Sequence, residues 1–401
     1  MVDCHGSQCG FCTPGIVMSL WGASEASAAG APRPDRQALA DLLAGNLCRC
    51  TGYRPILDAG ERMFELPARP LERAPVIAAL RALRNDPPLC LAQERGDFHA
   101  PRTLAGFAAL REAQPQARIL SGATDIGLWV NKQFRDLGPL LYVGDVAELK
   151  RLELSDDTLT IAAAVPLEDA WRALVAEWPA LRDVWLRFAS PPVRHAGSFV
   201  GNVANGSPIG DAAPVLMALG ATLLLRRGER LRRLALDAFY LDYMKNALEP
   251  GEFVQAVEVP RRATWSPREQ RVQAYKVSKR FDSDISAVCA ALAVTLDGER
   301  IADARLAFGG MAATVRRAVG AEAALRGRVW DETALRDAQA ALAQDFAPLS
   351  DLRASADYRL MVAQQLLRRF WLQTRPHDPL PEAMLSVWAR EDGAGRVGAP
   401  A

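Results

Sequence analysis

No excess of basic residues marks this 401-residue chain: Lys and Arg number 48 against 47 Asp and Glu, a formal net charge of +1. A dedicated nucleic-acid binder carries a positive surplus, so that class is set aside. No apolar run reaches the ~20 residues needed to cross a bilayer; the longest, near 212–225, falls short. The start, MVDCHGSQCG, has no basic end followed by an apolar stretch and does not read as an export signal. The expectation is a cytoplasmic protein without membrane association. Also missing is a G-x-G-x-x-G between a strand and a helix, since Gly122 and Gly127 are spaced differently. A dinucleotide here would be held by separate turns rather than by one helix end.

What is present is an ordinary globular composition, 50% hydrophobic and 24% charged. The length calls for two or three domains. Seven cysteines is an odd count, and most of them precede residue 51. Without an export signal this favours metal ligation over disulfides. Cys9 and Cys12 form a C-x-x-C pair, and Cys48 and Cys50 a C-x-C pair. Together they supply four thiolates, the set required by a [2Fe–2S] centre. Zinc accepts the same set, so ligand count does not choose between them. Cys4 lies outside the pairs, His5 reads as a surface or supporting residue, and Cys90 and Cys289 read as buried spectators.

Along the chain, Thr13 reads as a cap with Pro14 opening a helix, 23–34 as a loop, and 36–47 as a helix. Pro67, Pro70 and Pro75 mark a linker over about 67–96. Beyond it, helices are expected at 103–113, 167–177 and 180–188, and strands at 118–120, 140–143 and 159–164, an α+β pattern. The stretch Phe188–Asp211, FASPPVRHAGSFVGNVANGSPIGD, places Gly197, Gly201, Gly206 and Gly210 among Asn202, Asn205, Ser207 and Asp211. Glycines let a backbone approach a ligand and turn its N–H groups toward an anion. A Gly/Ser/Asn-rich surface loop has the same composition. The apolar segment that follows it favours a ligand-cradling turn. Further strands are expected at 286–297 and 305–310, helices at 318–326, 333–346 and 358–371, and a disordered tail after Arg390.

Two cysteine segments, HGSQCGFCTPG (5–15) and NLCRCTGYRPI (46–56), closely resemble the two halves of the helical [2Fe–2S] domain of the molybdenum hydroxylases, typified by xanthine dehydrogenase. ILSGATDI (119–126) and the 188–211 stretch resemble that family's two flavin-contacting loops. The resemblance implies a multidomain α+β fold. Its parts are a helical [2Fe–2S] domain over 1–66, a linker over 67–96 and a PCMH/VAO-type FAD-binding α+β domain over 97–262. A C-terminal α/β domain like that of the CO dehydrogenase flavoprotein follows over 270–376, with a tail over 377–401.

It further implies that Cys9, Cys12, Cys48 and Cys50 ligate one [2Fe–2S] cluster. Ile119, Leu120, Ser121, Gly122, Ala123, Thr124, Asp125 and Ile126 would wrap the FAD pyrophosphate. Ser198, Phe199, Val200, Gly201 and Asn202 would form a second cradle, Asp211 would accept from a sugar hydroxyl, and Phe188 and Val254 would lie beside the cofactor. Lys276, in QAYKVSKRFDSD, would stabilise negative charge on the reduced flavin. Val200 stands where the family often has a glycine, and Asn205 where it has Thr.

The module order resembles the small subunit of the family's bacterial two-subunit xanthine dehydrogenases. In those, a large subunit holds the molybdenum cofactor and electrons pass through iron–sulfur clusters to FAD and then NAD. A heterotetramer or larger assembly with that subunit is implied, with no catalytic residue on this chain. The family's N-terminal plant-type ferredoxin spacing has no counterpart here beyond Cys4, Cys9 and Cys12, two of which are already used. The expectation is a shortened chain, or a ferredoxin module on another polypeptide. Two alternatives stand beside this reading: the electron-transfer subunit of a related aldehyde or aromatic hydroxylase, and a zinc-stabilised binding module without redox function.

Overall fold

Proline and small residues decide where the N-terminal helices begin and end. The structure, a computed structural model, describes residues 1–83, 87–92, 94, 96–265, 268–381 and 384–385. It contains two compact units, the first built on residues 1–87 and the second on 88–189 and 193–381. Helices of the first unit span Thr13–Ala28, Arg36–Leu42, Arg54–Arg62 and Arg73–Leu83. Pro14 and Pro55 lie in first turns, where the missing N–H has no intrahelical acceptor to lose. Thr13 is already helical and does not cap: Cys12 precedes the helix, and no side chain closes it.

The expected loop at 23–34 is helical through Ala28. Its alanines are the strongest helix formers, and the break comes only ahead of Pro32 and Pro34. Asp35 then caps the next helix, accepting from Ala38 N at 2.8 Å. Ile16, Leu20, Leu39, Leu43 and Ile56 form the core. Gly60 packs closely there: a Cβ would come within 3.1 Å of Leu20 and 3.2 Å of Leu39, so the leucine side chains would have to shift. The expected linker over 67–96 carries the helix Arg73–Leu83 and the strand Leu89–Leu91, and neither buries a residue. Cys90 is therefore exposed on that short strand, not buried.

In the second unit a mixed sheet has the order Leu89–Leu91, Phe98–Ala100, Leu140–Tyr142, Arg118–Leu120; the first pair is antiparallel and the others parallel. An antiparallel sheet has the order Leu152–Leu154, Thr158–Ala162, Phe253–Pro260, Thr222–Arg227, Arg230–Ala235. A third sheet, also antiparallel, runs Glu269–Val277, Val288–Asp297, Arg300–Gly309, Arg316–Arg317.

The strand Val288–Asp297 shows how these parts join. Side chains alternate between the faces of a sheet. Val288, Ala290, Leu292 and Val294 pack with residues of the helices Val319–Leu325, Glu332–Asp345 and Ala356–Thr374. Ala291 and Ala293 face the other way, into the core that holds the helix Ala212–Leu219. Every residue of that helix is buried. Alanines on one face and mostly branched residues on the other let one strand serve two layers. The segments expected as separate domains, 97–262 and 270–376, thus share a core. Among the described residues no helix is long and apolar enough to cross a membrane. The tail expected after Arg390 lies outside the described residues.

Candidate cofactor cavity and cysteine site

Gly122 ends the run that follows the strand Arg118–Leu120, and its lack of a side chain has a direct cause. A Cβ at Gly122 would sit 1.5 Å from Ala196 O and 2.3 Å from Ala196 C. Only glycine allows these two turns, distant in sequence, to touch. The neighbouring Ala123 takes the left-handed conformation (φ +59°). Asn205 Nδ2 donates to Asp125 Oδ2 at 2.8 Å, a second tie between the turns. On the far side Leu167 N donates to Gly197 O (2.8 Å) and Phe199 N to Val165 O (3.0 Å). The second turn is thereby fixed to the helix Leu167–Glu177.

Between the turns lies a cavity of about 390 Å³, within the range of small-molecule sites. Ile119, Ser121, Gly122, Ala123, Thr124, Asp125 and Ile126 line it from one side, and Ser198, Val200, Gly201 and Asn202 from the other; of the remaining predicted residues Phe188 and Val254 also line it. The 198–202 segment is not a loop. Ser198 precedes the helix Phe199–Asn205, whose first turn borders the cavity. The Phe199 amide is already bonded to Val165 O; the other first-turn amides lack intrahelical acceptors, which suits an anionic ligand. Burial pushes the Asp125 carboxyl above its usual range.

Four predicted contacts are corrected. Leu120 does not line the cavity, because Ile119 and Ser121 face it and alternation turns Leu120 away. Phe199 is fully buried edge-on against Trp171, with ring centroids 5.9 Å apart. Asp211 and Lys276 hold each other instead of a ligand. Lys276 Nζ donates to Asp211 Oδ2 (2.6 Å) and to Ser286 Oγ (2.8 Å), while Ser286 Oγ donates to Asp211 Oδ1 (2.6 Å). The buried helix Ala212–Leu219 carries Asp211 inward, where a charge requires a charged partner.

The cavity also has walls that the sequence reading did not assign: Trp129, Leu167, Asn205, Leu248 and Phe253 among them. Helical spacing from Ile126 to Trp129 and from Asn202 to Asn205 was the available signal. Phe253 had none, since only the sheet pairing of its strand brings it close, and Leu248, outside the strands, had none either.

In the first unit, Cys9 precedes the helix Thr13–Ala28, and Cys12 is its cap residue. Cys48 and Cys50 precede Arg54–Arg62. Asn46 Nδ2 donates to Ser19 Oγ at 2.8 Å and fastens one segment to the other. The sulfurs meet in pairs: Cys50 Sγ lies 3.5 Å from Cys9 Sγ, and Cys12 is hydrogen-bonded to Cys48. The Thr51 hydroxyl and the backbone N–H groups of Cys50 and Thr51 lower the Cys48 thiol to about 6. The Phe11 N–H and the Cys50 thiol lower Cys9, while Cys12 and Cys50, as donors to their partners, are raised. Such N–H groups stabilise negative sulfur, as metal-bound thiolate requires. Among the described residues no three His, Cys, Asp or Glu side chains converge as for a single metal ion. Cys4 is half-buried, Cys289 is buried, and His5 is exposed.

Three family comparisons cover most of the chain. The [2Fe-2S] binding domain matches residues 1–61, the FAD binding domain in molybdopterin dehydrogenase matches 93–262, and the CO dehydrogenase flavoprotein C-terminal domain matches 273–374. Xanthine dehydrogenase of Emericella nidulans is 30% identical over 94% of this chain and 31% of its own length. The chain spans about a third of the length of the curated relatives it matches. Among solved structures, reconstituted CO dehydrogenase from Oligotropha carboxidovorans is 28% identical, covering 70% of this chain and 97% of that one with a TM-score of 0.63. Quinoline 2-oxidoreductase from Pseudomonas putida 86, at 23% identity and TM-score 0.62 over 72% of this chain and 100% of that one, shares the fold.

Proposed function

Since the chain belongs to the molybdenum hydroxylase family, with its [2Fe-2S] binding, FAD binding and flavoprotein C-terminal domains in order, we propose that it is an electron-transfer subunit serving a partner that carries the molybdenum cofactor. The reading favoured here is the small subunit of a cytoplasmic xanthine dehydrogenase, with one [2Fe–2S] cluster, FAD, and NAD as the final acceptor, in a heterotetramer or larger assembly. The observation that carries it is the contact of Gly122 with Ala196, which makes one cavity from two glycine-bearing turns.

Cys9, Cys12, Cys48 and Cys50 would hold the cluster, and the N–H groups around Cys48 and Cys9 favour thiolate there. The 121–126 turn and the 198–202 helix start would hold the FAD phosphates, with Phe188, Trp129 and Phe253 supplying apolar wall. When bound, these cofactors supply the redox chemistry, and the protein supplies orientation and exclusion of water. Asn205 Nδ2 holds the Asp125 carboxyl toward the second turn at the edge of the cavity.

The likeness to quinoline 2-oxidoreductase and to CO dehydrogenase keeps a second substrate class in play, an aromatic heterocycle or other small reductant on the partner. Co-expression with a molybdenum-binding partner tests the reading. Xanthine-dependent reduction of NAD by the complex supports it. Reduction by an aldehyde or an N-heterocycle but not by xanthine moves the assignment to the second class, and no substrate-dependent reduction of the bound flavin overturns both.

A further inference from the structure

Behind the cavity wall, and not lining it, lies a buried ion pair that nothing above uses. Glu168, in the first turn of the helix Leu167–Glu177, and Arg194 are 6% and 5% exposed. Arg194 Nε donates to Glu168 Oε2 at 2.6 Å. Its Nη1 donates to Phe188 O (3.0 Å) and to Ala189 O (3.1 Å). The Trp185 indole donates to the same Glu168 oxygen at 3.2 Å, and Arg172 lies 3.6 Å from Oε1. One guanidinium therefore links the helix Leu167–Glu177 to the end of the helix Arg182–Arg187, where Phe188 leaves it.

Two details give this linkage a purpose. Ala189 has φ +49°, a conformation that a residue with a Cβ adopts only when its surroundings impose it. And three cavity residues, Leu167, Phe188 and Val193, are chain neighbours of the clamp or are bonded to it directly. Phe188 also leans on Trp171, its ring tilted 43° at 6.2 Å, so the ring is supported from behind while the backbone is held from the side.

We propose that Arg194 is a positioning residue of the cavity: anchored on Glu168, it holds the Phe188–Ala189 turn in its left-handed form and so sets where the Phe188 ring stands against the bound aromatic cofactor. The inference rests on the assignment of this cavity to FAD. A planar, five-donor guanidinium reaches a carboxylate and two carbonyls at once; an ammonium of similar length cannot.

The test is a double-mutant cycle on the full chain, read as the dissociation constant of FAD from quenching of its fluorescence, with the visible flavin spectrum recorded alongside. Phe188→Leu and Arg194→Met are each expected to weaken FAD roughly tenfold, and the double variant also roughly tenfold, because both remove the same placement. Glu168→Gln with Arg194→Met removes both charges, guarding against a variant that fails merely because a lone carboxylate is buried; the same loss and the same altered flavin spectrum are expected of it. Arg194→Lys should restore thermal stability more than flavin affinity. Losses that multiply to about a hundredfold in the Phe188/Arg194 double variant, or an Arg194→Met protein with unchanged affinity and spectrum, overturn the clamp. A wild-type protein that takes up no flavin overturns the cavity's assignment first, and the clamp with it.

Discussion

Cys9, Cys12, Cys48 and Cys50 present their sulfurs from two segments that each lead into a helix, and hydrogen bonds from backbone and Thr51 tune them. The cavity of the second unit works differently. Its closest approach is between the backbone of Ala196 and a glycine with no side chain at all. A site made of side chains depends on which atoms are present, so exchanging one ligand abolishes it and leaves the fold. A site made of backbone depends on what is absent, so adding a methyl group abolishes it. The two regions should therefore fail under opposite substitutions.

The sharpest way to break that comparison is to cross it. Cys48→Ser is expected to remove iron and its absorbance entirely while FAD per chain stays at the wild-type value, measured by metal analysis and flavin extraction. Gly122→Val is expected to do the reverse, weakening FAD on the order of a hundredfold, the ~3 kcal/mol scale of severe overpacking, with iron content unchanged. Loss of both cofactors in either variant would show that the sites are not separately built.

The buried Asp211–Lys276–Ser286 cluster gives the next effect. Lys276→Met leaves an unpaired carboxylate in the core, and chemical denaturation should report a loss of roughly 3–5 kcal/mol. The FAD affinity of the folded protein should be unchanged, because neither charge lines the cavity. A large drop in affinity without a drop in stability would restore Lys276 to the cofactor.

How much of this was legible in the sequence follows the same division. The cysteine spacings and the glycine runs pointed to both regions, since ligand atoms and missing side chains are visible in a string of letters, but it was the resemblance to the family that assigned them a cluster and a flavin. The strand Arg118–Leu120 and the helix Leu167–Glu177 were read to the residue from apolar periodicity and turn chemistry. The helix through 23–28 was missed because small residues permit a helix as readily as a loop. Asp211 and Lys276 were assigned to the cofactor on the family resemblance, and a charged residue near a ligand turn has two possible destinations. Only the burial of the helix Ala212–Leu219 decides between them. Phe253 reaches the cavity through strand pairing, which no local pattern encodes.

Asp125 supplies the smallest expected effect. Its carboxyl is raised by burial, so the folded state favours the neutral form. The stability tied to that group is fully present below the unfolded value of ~3.9 and is lost as pH rises through the folded one. Asp125→Asn should flatten the fall in thermal midpoint as pH rises above about 4, and should make FAD retention less dependent on pH. A wild-type slope that the substitution leaves unchanged would assign the dependence to another group.

Cofactor stoichiometry of the purified full chain tests the central claim most directly. The account predicts two iron atoms and one FAD per chain, with thiolate–iron and flavin bands in the visible spectrum. A colourless protein that holds zinc and no flavin would contradict it.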